Sequence, residues 1–299
     1  MKAEYIQEHG NPTGHGHPDD WHKYVVDQGW ANYTAENHET WKILYERQNK
    51  IIKNRACDEY FEGVKALDMN PKEIPDFRDL NKKLKPLTGW EIVAVEGLIP
   101  DLPFFKLLSE RKFPSGNFIR AKSQLDYIQE PDVFHDVFGH VPLLANPIFA
   151  DYVEAFGKGG LRAHSYGTIT NLSRLYWYTV EFGLIETAKG LRIYGAGILS
   201  SPGETVFALE DPSPNRIRFD LKRIMQTDYR VDDYQQAYFA IDSFKQLFEE
   251  TYADFGPIYD ELKASQNKYG LTEIVPTDNV ITKGTQAYAT TRDAAKKQG

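Results

Sequence analysis

The amino-acid sequence predicts a mainly α fold: a single domain of packed helices with short antiparallel β-ribbons. Three observations lead there. Apolar residues recur at helical spacing in segments that open on capping residues, β-like runs are few and short, and residues 34–276 hold no repeat, heptad seam or composition break that would divide them. With 299 residues, 41% of them hydrophobic, the chain is long enough to bury a sizeable core.

The elements follow in chain order. Residues 1–33, rich in Gly, His, Asp and Pro, predict a weakly ordered arm. His15, His17 and His22 alternate with glycine and polar residues there and have no scaffold to hold a metal geometry. Thr34 is placed to cap a long helix through Trp41, Leu44, Tyr45, Gln48 and Ile51 or Ile52, and a second helix over 56–67 turns Tyr60, Phe61, Val64 and Leu67 inward. Asn70-Pro71 breaks that pattern, and Pro75, Pro86 and Gly89 punctuate the stretch before a strand over 91–95. Helical spacing returns from Phe104 to Arg111. Asn146-Pro147 opens a helix through Phe149, Tyr152, Val153 and Phe156 that Gly157 is expected to end, so Gly157-Lys158-Gly159-Gly160 reads as a helix terminus, not a phosphate loop. Asn171 caps a helix through Leu172, Leu175, Tyr176, Thr179 and Phe182. Strands over 191–194 and 205–209 flank a Gly- and Ser-rich segment and predict a small ribbon; 219–225 and 241–252 read as helices, and 277–299 as a polar tail in which 287–298 has room for a short helix.

Composition excludes several function classes. The 35 basic against 43 acidic residues give a net charge of −8, which argues against nucleic acid as a partner. Apolar runs fall far short of the roughly 20 residues that span a bilayer, and the polar start lacks a secretory signal pattern. Cys57 is the one cysteine, so no intrachain disulfide forms and a cytoplasmic setting is expected.

The chemistry concentrates around His135 and His140, in Glu130-Pro-Asp-Val-Phe-His-Asp-Val-Phe-Gly-His-Val-Pro142. Five positions at about 100° each leave two side chains about 140° apart on an ideal helix, so the pair converges only where the helix ends or unwinds. Gly139 and Pro142 supply such a break. The spacing differs from the zinc-protease motif, whose histidines lie four apart. Either each imidazole satisfies a hydrogen bond in an apolar wall, or the pair binds iron, zinc or copper. A third ligand is then needed, from Asp132, Asp136, Glu154, Glu181 or Glu186. Glu181 stands out because its aromatic surroundings, Tyr176-Trp177-Tyr178 and Phe182, make an uncompensated carboxylate costly; the alternative is pairing with Arg174 or Arg192.

Together with Tyr176-Trp-Tyr-Thr-Val-Glu-Phe-Gly183 and Tyr194-Gly-Ala-Gly-Ile-Leu-Ser-Ser201, that histidine segment resembles the pterin-dependent aromatic amino acid hydroxylases, bacterial members above all. The resemblance runs from about Tyr33 to Phe255 and marks residues 34–276 as the catalytic domain. It implies the hydroxylase fold, and Fe(II) held by His135, His140 and Glu181 with one face open. It implies tetrahydrobiopterin or a related tetrahydropterin at Gly97, Leu98, Ile99, Phe104 and Tyr176, with O2 as co-substrate. Arg120 would clamp the carboxylate of an aromatic amino acid, and Tyr127, Pro131, Trp177, Gly197 and Ser200 would line its pocket; a surface arginine and a core tryptophan are the plain alternatives. Asp101 and Asp136 differ from the serine and glutamate of animal members. Val231 lies where tyrosine hydroxylases have Asp, which favours phenylalanine, giving tyrosine, over tryptophan or another aromatic substrate. The implied state is an unregulated monomer. Outside the family, a zinc hydrolase with the same three ligands, or a closed structural metal site, would use neither pterin nor O2.

Overall fold

The computed structural model describes residues 14–251, 255–265 and 268–298. Thr34 begins the helical body: its side chain accepts the Asn37 backbone N–H while the Asn37 side chain accepts that of Thr34, a reciprocal cap on α1 (Ala35–Ile51). Around a short strand β1 (Val25–Val26) and this helix, α2 (Asp58–Ala66) and α3 (Phe77–Thr88) complete the first helical layer. The stretch holding α3 is not a punctuated loop. Asp76 caps it, Phe77, Leu80 and Leu84 are buried at helical spacing, and Gly89 closes it at φ 78°, with Pro86 tolerated in the last turn.

Next come β2 (Glu91–Val95), α4 (Asp101–Ser109) and β3 (Lys112–Gly116). β2 pairs antiparallel with β1 and parallel with β3, making a three-stranded sheet. The expected weakly ordered arm therefore has definite structure from residue 14 onward, while residues 1–13 lie outside the described part. Trp21, Tyr24 and Val25 pack on Val95, Ile99 and Leu107, a nonlocal burial that no local periodicity announces.

A π-helical turn over Phe134–His140 runs into α5 (Val141–Leu144), followed by α6 (Pro147–Tyr166) and α7 (Ile169–Tyr176). Gly157 does not end α6. The helix continues to Tyr166 and Gly167 closes it at φ 68°. A Cβ at Gly157 would lie 2.5 Å from the Ser109 nitrogen and one at Gly160 2.2 Å from the Phe105 ring, so these glycines let α6 press against α4. Thr168, not Asn171, precedes α7, and the Asn171 side chain donates to the Met225 carbonyl.

A second π-helical turn (Trp177–Glu181) leads into β4 (Leu184–Thr187), β5 (Gly190–Ile193), α8 (Ala196–Leu199) and α9 (Pro202–Glu210). Thr205–Leu209, expected as a strand, is the body of α9; Ser201 caps it through the Glu204 N–H, and that local signal outweighs the β-branched Thr205 and Val206. The chain closes with β6 (Asn215–Arg218), α10 (Leu221–Met225), β7 (Ala237–Ile241), α11 (Phe244–Thr251), α12 (Gly256–Ser265), β8 (Val280–Thr282) and α13 (Ala287–Gln298). Ile241 ends a strand instead of starting a helix, and Tyr252 lies outside the described residues.

The fold is mainly helical, as expected. The β4–β5 ribbon is antiparallel, but it forms the edge of a five-stranded mixed sheet, order β5-β4-β7-β6-β8, with β4–β7 and β6–β7 parallel. The expected polar tail contributes β8 to that sheet and α13 beyond it. No helix among the described residues is long and apolar enough to cross a membrane.

Candidate metal centre and active site

The two π-helical turns build the site. A π turn holds one more residue per hydrogen-bonded loop than an α turn, which brings positions five apart toward one face. His135 and His140 therefore converge by underwinding, without a break in the chain; Gly139 serves close packing, since a Cβ there would lie 2.9 Å from the Ala196 carbonyl oxygen. Behind them, Phe134 and Phe138 stack at 4.8 Å and pack on Trp41 and Tyr45 of α1, and the Tyr60 hydroxyl donates to the Phe138 carbonyl. This apolar backing turns both imidazoles to the other side.

Their Nε2 atoms lie 3.3 Å apart. Glu181, from the second turn, places Oε1 3.1 Å from His140 Nε2 and Oε2 3.5 Å from His135 Nε2. Of the carboxylates weighed from sequence, Glu181 alone joins them. Asp132 is engaged by Arg120, Glu154 by Arg111 and Lys158, and Glu186 by Arg218. Nor does an arginine neutralise Glu181: Arg174 binds Asp228 and Arg192 donates to the Leu191 carbonyl.

The donor chemistry fits a divalent transition metal. Ser200 Oγ gives its one proton to the Ala196 carbonyl at 2.8 Å and lies 2.9 Å from His135 Nδ1, so Nδ1 carries the imidazole proton and Nε2 presents a lone pair. Burial pushes the His135 imidazole down to about 4, keeping it neutral. Burial alone would raise the Glu181 carboxyl, but His140 and His135 outweigh it and hold it below the usual range. Two imidazoles and one carboxylate, with ligand atoms all within 4.8 Å of one another, form the only such group among the described residues. A closed structural site would call for a fourth ligand. His15, which meets Asp101, and His17, which accepts the Asp19 N–H, join no such group.

Other expected residues take up definite places. α8 presses on the Glu181 segment because Gly195 and Gly197 lack side chains; a Cβ would fall 2.4 Å and 3.1 Å from the Glu181 carbonyl oxygen. Arg120 is buried, not a surface residue. Asp132 takes its Nε and Nη2, each at 2.8 Å, as well as its backbone N–H, so the two-pronged edge expected for a substrate carboxylate is already engaged. Burial pushes the neighbouring Asp136 carboxyl up to about 7 while the Gly116 N–H donates to it.

Phe104 meets Tyr176 edge-on at 5.9 Å, and Tyr176 lies near-parallel to His140 at 6.4 Å, so an aromatic row links the loop after β2 to the metal ligands. In that loop Gly97 adopts φ 124° beside the Glu130 carboxylate, Leu98 is 52% exposed and Ile99 faces inward. Tyr127 is 57% exposed at the rim and Pro131 half-buried beside the Arg120–Asp132 pair. The Trp177 indole stacks on Tyr229 at 4.4 Å and donates to Gln235 Oε1 at 3.0 Å. Sequence reasoning missed Ser200 as the partner of His135, and Gln235 altogether, because both contacts join residues more than 50 positions apart.

Comparison with known proteins agrees with this geometry. The family described as biopterin-dependent aromatic amino acid hydroxylase matches residues 21–283. The phenylalanine-4-hydroxylase of Caulobacter vibrioides is 58% identical over 281 residues, 94% of each chain. Phenylalanine hydroxylase from Chromobacterium violaceum with bound iron(III) and oxidised 7,8-dihydrobiopterin superposes with a TM-score of 0.84 at 54% identity, covering 90% of this chain and 95% of that one. Its iron- and phenylalanine-bound form gives 0.83 at 51% identity, covering 91% and 97%. A family match over residues 21–283, relatives more than half identical along nearly the whole chain and a shared fold lead to one conclusion: this chain belongs to the biopterin-dependent aromatic amino acid hydroxylases.

Proposed function

We propose that this protein is a non-haem Fe(II), tetrahydropterin-dependent monooxygenase that hydroxylates L-phenylalanine to L-tyrosine, with tetrahydrobiopterin or a related tetrahydropterin as reductant and O2 as co-substrate. The observation that carries the reading is the convergence of His135, His140 and Glu181 at one buried point. The named relatives support the choice of substrate.

When bound, iron and tetrahydropterin together supply O2 activation, with the pterin's two electrons reducing the oxygen atom that does not enter the ring. The chain's own work is to bind, orient and exclude water. His135, His140 and Glu181 would hold iron through three protein atoms, one from each side chain. Ser200 fixes the His135 tautomer. The backbone of Gly97, Leu98 and Ile99 would meet the amide-like edge of the pterin, and Phe104 and Tyr176 would flank its ring. Arg120, locked by Asp132, offers its Nη1 side to the amino acid's carboxylate. Tyr127, Pro131, Trp177, Gly197 and Ser200 would line the pocket of the aromatic ring, and the apolar Val231, where tyrosine hydroxylases have Asp, favours phenylalanine.

The reading extends to a cytoplasmic monomer, with residues 34–276 as the catalytic domain and residues 14–33 and 277–292 packed on it. Cys57, buried and unpaired, suits a reducing compartment, and sedimentation at micromolar concentration tests the monomer. The activity is tested by tyrosine formation from the Fe(II)-loaded protein with phenylalanine, O2 and tetrahydropterin, omitting each in turn and adding tryptophan as a competitor. Tyrosine that needs every component is expected. No tyrosine at confirmed iron occupancy overturns the reading.

A further inference from the structure

We infer that Gln235 is a positioning residue for the aromatic substrate: it holds the Trp177 indole in the orientation that walls the ring pocket. The inference rests on the hydroxylation reading above and deepens it.

Trp177 lies one helical turn before Glu181, so its ring angle sets the wall nearest the metal ligands. One of its faces is covered by Tyr229 and Phe182 packs against it at 4.7 Å, which restrains the tilt of the ring. The indole N–H to Gln235 Oε1 bond adds a directional restraint at its edge. Gln235 is 1% exposed, and its amide cannot turn over without loss, because Nε2 donates to the carbonyls of Arg230 at 2.7 Å and Asp233 at 3.3 Å. The same Oε1 lies 3.4 Å from the Arg230 backbone nitrogen, which joins the loop bearing Val231 to Trp177 through one atom.

The backbone of Gln235 is anchored as well. Its N–H donates to Glu204 at 3.1 Å, and the Tyr238 hydroxyl donates to the same carboxyl oxygen. Glu204 sits in α9, four residues after Ser200, which holds His135. One frame, α8 to α9, therefore positions a metal ligand at one end and, through Gln235, the aromatic wall at the other. The hydrogen bonds of Gln235 go to Trp177, Arg230, Asp233 and Glu204 and to none of the three metal ligands, so Gln235 acts through Trp177.

The test is a double-mutant cycle with Gln235→Met and Trp177→Phe, read as phenylalanine affinity by calorimetry on metal-loaded protein without pterin, as KM against kcat, as tyrosine formed per pterin oxidised, and as Tm. Gln235→Met is expected to weaken phenylalanine binding about tenfold and to lower the tyrosine yield per pterin, with kcat for pterin oxidation little changed. In the Trp177→Phe background, which has no indole N–H, the same substitution should add less than about twofold. An equal loss in both backgrounds overturns the inference, as does unchanged affinity in a folded Gln235→Met protein. Should that variant fail to fold, Trp177→Phe alone decides, and an affinity loss below about twofold overturns it. Wild-type protein that binds no phenylalanine and forms no tyrosine instead overturns the functional reading itself.

Discussion

Histidines crowd two regions of this chain, and only one of them builds a metal centre. His15, His17 and His22 sit exposed on a strap that crosses the surface, and each meets a different partner: His15 meets Asp101 and the His164 ring, His17 accepts the Asp19 N–H, and His22 meets the Trp21 ring edge-on. His135 and His140 sit on an underwound turn backed by Phe134 and Phe138, with Ser200 fixing one tautomer and Glu181 facing both. Residue type is the same in both; the difference lies in the scaffold, which in one place converts five-apart spacing into convergence and in the other leaves side chains to solvent. Coordination needs ligands held in place before the ion arrives.

The largest effect expected from breaking this comparison is at Glu181. Glu181→Ala should abolish iron retention after desalting and coupled tyrosine formation, whereas His22→Ala should change neither; equal activity in the two variants would show the centre is misplaced. A smaller effect is expected one step back from the ligands. Ser200→Ala leaves the three ligands intact but frees the His135 tautomer, and should weaken Fe(II) affinity by about 10- to 100-fold in a competitive chelator titration.

The same logic applies to the glycines of α6, where adjacent positions should behave oppositely. Gly160→Ala drives a methyl into the Phe105 ring and should destabilise by about 1–3 kcal/mol. At Gly159 a Cβ meets nothing within 4 Å, so Gly159→Ala should stabilise by about 0.4–1 kcal/mol through the unfolded chain. Denaturant midpoints of the two variants measure both.

A pH-dependent effect is expected from the buried frame behind Trp177. Burial raises the Glu204 carboxyl from 4.5 to about 8. The native state therefore keeps a proton that the unfolded chain releases above 4.5, so this group's contribution is fully present below that pH and is lost progressively as pH rises to about 8. Glu204→Gln, which keeps the neutral form throughout, should flatten the fall of unfolding free energy between pH 5 and 8. An identical slope in the variant would show that Glu204 is ionised in the native protein.

Much of this protein was readable without coordinates, and the reasons are local. Thr34 and Asn146 mark helix starts because capping is settled within four residues, and the strand over 91–95 announces itself as a β-branched run between Gly89 and Gly97. His135, His140 and Glu181 were recognisable because the chemistry narrows which residue types can ligate and because three ordered motifs carry a family's pattern. Asp76 and the spacing of Phe77, Leu80 and Leu84 mark α3 in the sequence, but Pro75, Pro86 and Gly89 mask that signal until the structure shows Pro86 tolerated in the last turn.

What only the tertiary structure decided is nonlocal. Gly157 looks like a helix end until α4 packs against it, and residues 205–209 look like a strand until the Ser201 cap and the burial of Phe207 commit them to a helix. The strap over 14–33 and the strand at 280–282 draw their order from partners far along the chain. The Arg120–Asp132 pair, the Ser200–His135 contact and the Gln235–Trp177 bond belong to the same class. Local preference selects among a few backbone states worth about 1 kcal/mol each, but packing and buried hydrogen bonds between distant segments decide which side chains meet, and the function depends on those meetings.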